Sequence, residues 1–214
     1  MDEEIKIITT NNVNQKIRNF FLKNKKNLII IILLIVMALV GYISFDEIKK
    51  RNKIKIANEY NSIVINFDKN NKTQTILDLT DIVNKKDKTY SPLALYFLID
   101  NRILDEKNEI NNLFDILINK VKVEREIKNL IIYKKALYNS NFSSENELIQ
   151  ILKPITNSQS IWKSHALYLM AEYFYKNDEK QKAKEFFNKI LSLSIINNDI
   201  EAKTAKRLNR DFSE

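Results

Sequence analysis

The chain has 214 residues and carries 35 Lys and Arg against 27 Asp and Glu, a formal charge of +8. It has no Cys, which excludes disulfides, thiolate metal sites and cysteine nucleophiles, and its single His, His165, excludes a multi-histidine metal centre. One Gly and two Pro are too few for the turns of a strand-rich fold, so the composition predicts an all-α protein whose turns are built from Asn, Asp and Ser.

The first expected element is a tail, residues 1–27, with six Lys/Arg and three Asp/Glu. The positive charge beyond it is spread among both signs. No Arg-rich helix or aromatic–basic ladder appears, so nucleic acid is not an expected partner. The abundance of Ile, Lys and Asn reads as coding bias rather than chemistry.

Next comes "NLIIIILLIVMALVGYISF", Asn27–Phe45, without a charge. Leu28 to Phe45 makes about 27 Å of helix at 1.5 Å per residue, close to a hydrocarbon core of about 30 Å. A buried helix of a small domain seldom stays apolar on every side for that length. A cleavable signal has a shorter apolar stretch and a small-x-small site, which "ALVGYISFDE" lacks. The reading is an uncleaved transmembrane helix over residues 28–45. Lys16, Arg18, Lys23, Lys25 and Lys26 precede it, and Lys49, Lys50, Arg51, Lys53 and Lys55 follow it. Five cations on each side leave the orientation undecided by charge. The juxtamembrane lysines suit anionic lipid headgroups.

Residues 46–214 are enough for one domain with its own core. Blocks starting at Ile56, Pro92, Lys128 and Ser164 each read as an apolar-periodic segment, a polar turn and a second apolar-periodic segment, at a spacing of about 36 residues. The first block's helix grows out of the membrane segment. In the second, Ser91 is the expected cap, with Pro92 at the first helical position. In the third, Ser144 and Glu147 form a capping box and Pro154 stops the helix. In the fourth, Leu167, Met170, Ala171 and Phe174 share a face, Asp178 is the expected cap with Gln181 as its box partner, and Ala183, Phe187 and Ile190 form the second face. Small residues at Ala171 and Ala183 let two helices approach closely. Asp199–Phe212 reads as a capping helix that covers the open apolar end.

This pattern resembles the tetratricopeptide repeat, clearest in "ALYLMAEYFYKNDEKQKAKEFFNKIL" (Ala166–Leu191), with Leu167 where that repeat usually has Trp. With the acidic start "DEEIK" (Asp2–Lys6) and the basic run "QKIRNFFLKNKK" (Gln15–Lys26), the layout is similar to a family of bacterial inner-membrane proteins, the ancillary Sec-translocon subunits. That resemblance implies a cytoplasmic N-terminus and a periplasmic tetratricopeptide-like α-solenoid of helical hairpins. It also implies partners among translocon subunits, exported proteins or periplasmic chaperones, and it carries over no binding residues.

No catalytic, cofactor-binding or metal-binding residue is expected, and no cofactor. Trp162 and His165 read either as a recognition pair or, more simply, as a Trp packed between repeats and a surface His. Tyr133, Tyr138, Tyr168 and Tyr173 read as groove rings or as filling between hairpins. Asp105/Glu106 and Glu145/Glu147 fall at turns and helix starts, where acidic groups favour the helix dipole. "NKT" (Asn71–Thr73) and "NFS" (Asn141–Ser143) match the N-glycosylation pattern without a role in a bacterial protein. The expected function is a membrane-anchored protein-interaction module, translocon-associated or chaperone-like. The alternative is a structural scaffold for an envelope or division complex whose anchor helix self-associates.

Overall fold

The computed structural model describes residues 2–212, and of residues 2–17, 21, 28 and 69 the backbone alone. The side chains of Asp2–Lys6, of Lys16 and of Leu28, and the residues at 1, 213 and 214, therefore fall outside the described set. Among the described residues every regular element is a helix. The order is α1 Asp2–Ile65, a 3-10 turn Lys69–Asn71, α2 Lys72–Asn84, α3 Tyr90–Asp100, α4 Lys107–Lys120, α5 Arg125–Asn139, α6 Glu145–Thr156, α7 Lys163–Lys176, α8 Lys180–Leu191 and α9 Asn198–Asp211. The chain divides into two compact units, Met1–Lys55 and Ile56–Glu214.

The first unit is a length of α1. Its apolar window is not buried by any other part of the protein, and this is the one described helix long and apolar enough to cross a membrane. Ile32, Leu34, Met37 and Phe45 are 61, 58, 59 and 70 % exposed.

In the second unit consecutive helices pack against each other, and α2 with α4, α5 with α7 and α7 with α9 also touch. Short connections between packed neighbours make the helices alternate in direction. The α7–α8 contact is the most extensive of all, and Ala171 and Ala183 within it are fully buried. Their missing bulk lets the backbones close, and Phe174 and Phe187, also fully buried, fill the space alongside. Each such ring removed from water contributes roughly 1.5–3 kcal/mol.

The buried side chains form two clusters. One runs from Leu79 to Ile131 and takes in Ile56, Tyr60 and Ile63 of α1 at its edge. The other runs from Ile132 to Ile200 and takes in Leu208 and Phe212. Neighbouring residues of α5 point about 100° apart, so Ile131 serves one cluster and Ile132 the other.

With one Gly available, the turns place other residues in the left-handed region: Lys86 (φ 56°), Arg102 (φ 50°) and Asp178 (φ 62°). Arg102 and Asp178 end α3 and α7. Beyond them, the Ile103 amide donates to the Leu98 carbonyl and the Glu179 amide to the Phe174 carbonyl, both at 2.9 Å. This satisfies carbonyls that a helix end leaves unpaired. Asp178 therefore closes α7 and does not cap α8, which begins after Glu179 without a side-chain cap. Ser91 is not a cap either. It lies inside α3 and donates its hydroxyl to the Ile82 carbonyl at 2.8 Å, while Asp87 Oδ1 accepts from the Thr89 and Tyr90 amides, both at 2.8 Å. Pro154 does not stop α6, which runs two residues further to Thr156. Its exposed position tolerates the missing donor. The Ser144–Glu147 capping box is present, with the Ser144 amide donating to Glu147 Oε2 at 2.8 Å.

Candidate functional site

Three surfaces have enough relief or exposed apolar area to engage another molecule. The first is the apolar window of α1, whose side chains are exposed all round. On its C-terminal flank Lys50 pairs with Asp46 at 2.9 Å and Arg51 with Glu47 at 2.8 Å, each one turn back along the helix. Arg18, Lys23, Lys25 and Lys26 on the other flank make no ion pair among the described residues.

The second surface is the face carried by α3, α5, α7 and α9. Between α3 and α5 lies a depression of about 130 Å³ lined by Tyr96, Asp100, Lys134 and Leu137. Lys134 sits 4.5 Å above the Tyr96 ring, where the cation meets the negative face of the π system. The Tyr96 hydroxyl is buried without a hydrogen-bond partner among the described residues, and burial pushes its phenol far above the ordinary range. Just past the end of α5, Ser140 and Asn141 border a larger depression of about 440 Å³, completed by Leu169, Glu172, Lys176 and Arg207. Arg207 grips Glu172 with two nitrogens, at 2.7 and 2.5 Å, reaches Asp211 at 2.6 Å and stacks 4.3 Å from the Tyr175 ring centre. The hydrogen-bonded carboxylates hold the guanidinium fully charged. Lys176 donates to Asn141 Oδ1 at 3.1 Å.

The third is an open groove of about 540 Å³ between the last turns of α1 and α2, bordered by Asn58, Ser62 and Asp78. Lys85 bridges it, pairing with Glu59 at 2.5 Å and with Asp81 at 2.9 Å.

The residues singled out in the sequence divide among these surfaces and the packing beneath them. Trp162 stacks on Tyr133 with ring centres 5.9 Å apart, between α5 and the start of α7. His165 completes the group, 5.1 Å from Trp162 and 5.8 Å from Tyr133. It is not a surface residue: it is half-buried, its Nδ1 has no partner among the described residues, and burial lowers its pKa. Tyr138 meets Phe114 and Phe142 and also lines the depression between α3 and α5, and Tyr168 meets Phe187. Tyr173 lines the larger depression and donates to the Ser143 carbonyl at 3.1 Å. Burial and Glu172 push the Tyr168 phenol up to about 12. Asp105 pairs with Lys72 and Glu145 with Lys182, across connections.

Tyr96, Lys134, Leu137, Leu169 and Arg207, which border the depressions, carried no motif in the sequence. A signal was present for three of them: Tyr96, Leu137 and Leu169 are large side chains one position off the buried Leu95, Ala136 and Met170. No group of three or more His, Asp or Glu side chains among the described residues is placed to hold a metal ion. The surfaces offer apolar area, ring faces and isolated hydrogen-bonding groups, which is the chemistry of recognition. Comparison with known proteins found no family model, no curated protein and no solved structure that matches the chain.

Proposed function

We infer that the chain is a membrane-anchored protein-interaction module that carries out no reaction. The observation that carries this reading is the uncharged window of α1, exposed on every side and joined to a unit built of helical hairpins. Apolar side chains in that number are stable in lipid and costly in water. The anchor over residues 28–45 holds the protein in a bacterial inner membrane. The N-terminal tail lies inside, the orientation that the resemblance implies and that five cations on each side leave open. Residues 46–214 are then exported as a tetratricopeptide-like array. The repeat spacing, the alternating helices and the buried Ala171–Ala183 contact support that comparison. Its α3–α5–α7–α9 face receives a segment of a translocon subunit, an exported protein or a periplasmic chaperone.

In-membrane crosslinking of the full chain followed by purification tests the reading. Recovery of translocon subunits or exported chains is the expected result. Crosslinks between copies of the chain through the anchor, with no other protein recovered, replace it with a self-associating scaffold. Protease digestion of spheroplasts decides the orientation: the domain is cleaved if exported and protected if not.

A further inference from the structure

The alternating helices of the second unit gather its connections at two ends. Glu59 of α1 pairs with Lys85, and Tyr60 meets Tyr90 with ring centres 5.7 Å apart. The segment of α1 that begins at Ile56 therefore starts at the end that holds connections 85–89, 121–124, 157–162 and 192–197. Hydrogen bonds tie that edge together: Ser160 donates to Glu126 Oε2 at 2.6 Å, and the Asn197 amide donates to Ser164 Oγ at 3.4 Å.

The two ends differ in chemistry. The four connections at the α1 end contain four lysines, Lys85, Lys86, Lys88 and Lys122, against two carboxylates, Asp87 and Glu124. The connections at the far end, 66–71, 101–106, 140–144 and 177–179, contain two cations against five carboxylates. Lys86, Lys88 and Lys122 are exposed and make no ion pair among the described residues, and Asp87 is taken up by two backbone amides. Between these lysines and α9 stand two isoleucines that the fold does not cover, Ile161 at 59 % and Ile195 at 65 % exposure. Both border one shallow depression of about 80 Å³, together with Lys163 and Leu193.

We propose that this edge is a docking surface for an anionic lipid bilayer, with Ile161 and Ile195 entering the headgroup layer and Lys86, Lys88, Lys122 and Lys163 meeting its phosphates. The proposal rests on the anchor reading above. Ten residues, 46–55, separate Phe45 from Ile56, so even a fully extended tether keeps this end within about 35 Å of the interface. A basic edge with isolated apolar side chains matches what the interfacial zone accepts. Docking fixes which way the α3–α5–α7–α9 face is presented to partners.

Trp162, the only Trp of the chain, lies on this edge beside Ile161 and reports on it directly. The experiment uses the full chain in nanodiscs of phosphatidylcholine alone or mixed with phosphatidylglycerol, each with brominated lipid as quencher. A second probe, Phe142→Trp in a Trp162→Phe background, reports on the far end. The expected result is quenching of Trp162 well above that of the far probe, greater in anionic discs and abolished by Ile161→Ser with Ile195→Ser. Lys86→Gln and Lys88→Gln each lower the docked-to-undocked ratio about fivefold, the equivalent of one lysine near an anionic surface. Equal quenching of the two probes overturns the proposal. So does protection of Trp162 that follows protein concentration but not lipid charge, which assigns the edge to a second copy. A chain that enters the discs without Trp162 quenching overturns docking alone, whereas one that fails to enter them overturns the anchor as well.

Discussion

Asp178 shows how a local motif and the backbone compete for the same residue. Its spacing to Gln181 matches a capping box, yet the chain reverses there through a left-handed residue, and Asp178 supplies it at φ 62°. The turn needs a conformation that costs an L-residue about 1–2 kcal/mol and a glycine almost nothing. Asp178→Gly therefore raises stability by roughly 0.5–1 kcal/mol, read as a higher midpoint in denaturant unfolding, with part of the gain offset by the freer unfolded chain. His165 makes a prediction of the opposite kind. Burial holds its folded pKa below the ordinary 6.5, against the raising influence of Asp199 and with the lowering influence of Lys203. As pH falls through the ordinary value, the unfolded chain takes up a proton that the folded one resists, so stability is present above that value and is lost below it. Thermal unfolding between pH 7.5 and 5.5 shows this loss, and His165→Phe removes it.

Among the elements, the hairpin of α7 and α8 was the most legible in the sequence, because close approach demands small residues and only Ala171 and Ala183 fit at that spacing. Overfilling the contact tests this: Ala183→Leu costs roughly 1–3 kcal/mol, measured as a lower unfolding midpoint. Helix ends were less legible. Ser91 has the composition of a cap, but its hydroxyl bonds to Ile82 on another helix, a contact set by tertiary packing. Pro154 looked like a terminator, yet α6 continues because only one donor is missing at an exposed turn. Pro154→Ala restores that donor and a better helix former, and is expected to add about 2 kcal/mol by the same measurement. Of the residues that border the α3–α5–α7–α9 face, Tyr138 and Tyr173 were legible as rings of a groove, whereas Tyr96, Lys134, Leu137, Leu169 and Arg207 stayed hidden because a groove between helices is defined by several chain segments at once. No one segment carries its pattern.

For the whole molecule, the apolar window decides more than any other feature, since its length against lipid thickness was readable without coordinates. Two arginines within it cost roughly 2.5–3.5 kcal/mol each, enough to offset insertion. Ile35→Arg with Leu39→Arg is accordingly expected to move the full chain from the membrane pellet to the supernatant after carbonate washing. The charge bias of the second unit's connections, basic where α1 joins it and acidic at the other end, was not readable block by block. It emerges only when the alternation of helices is known, because that alternation sorts the connections into two sets.

The division of the core between Ile131 and Ile132 bears on how the protein yields to tension. A load applied through the N-terminal end reaches α1 and the cluster its last turns join first, while α6 to α9 keep their own interior. Stretching a single molecule should then give two rips in its extension trace instead of one, the earlier from the half between Leu79 and Ile131.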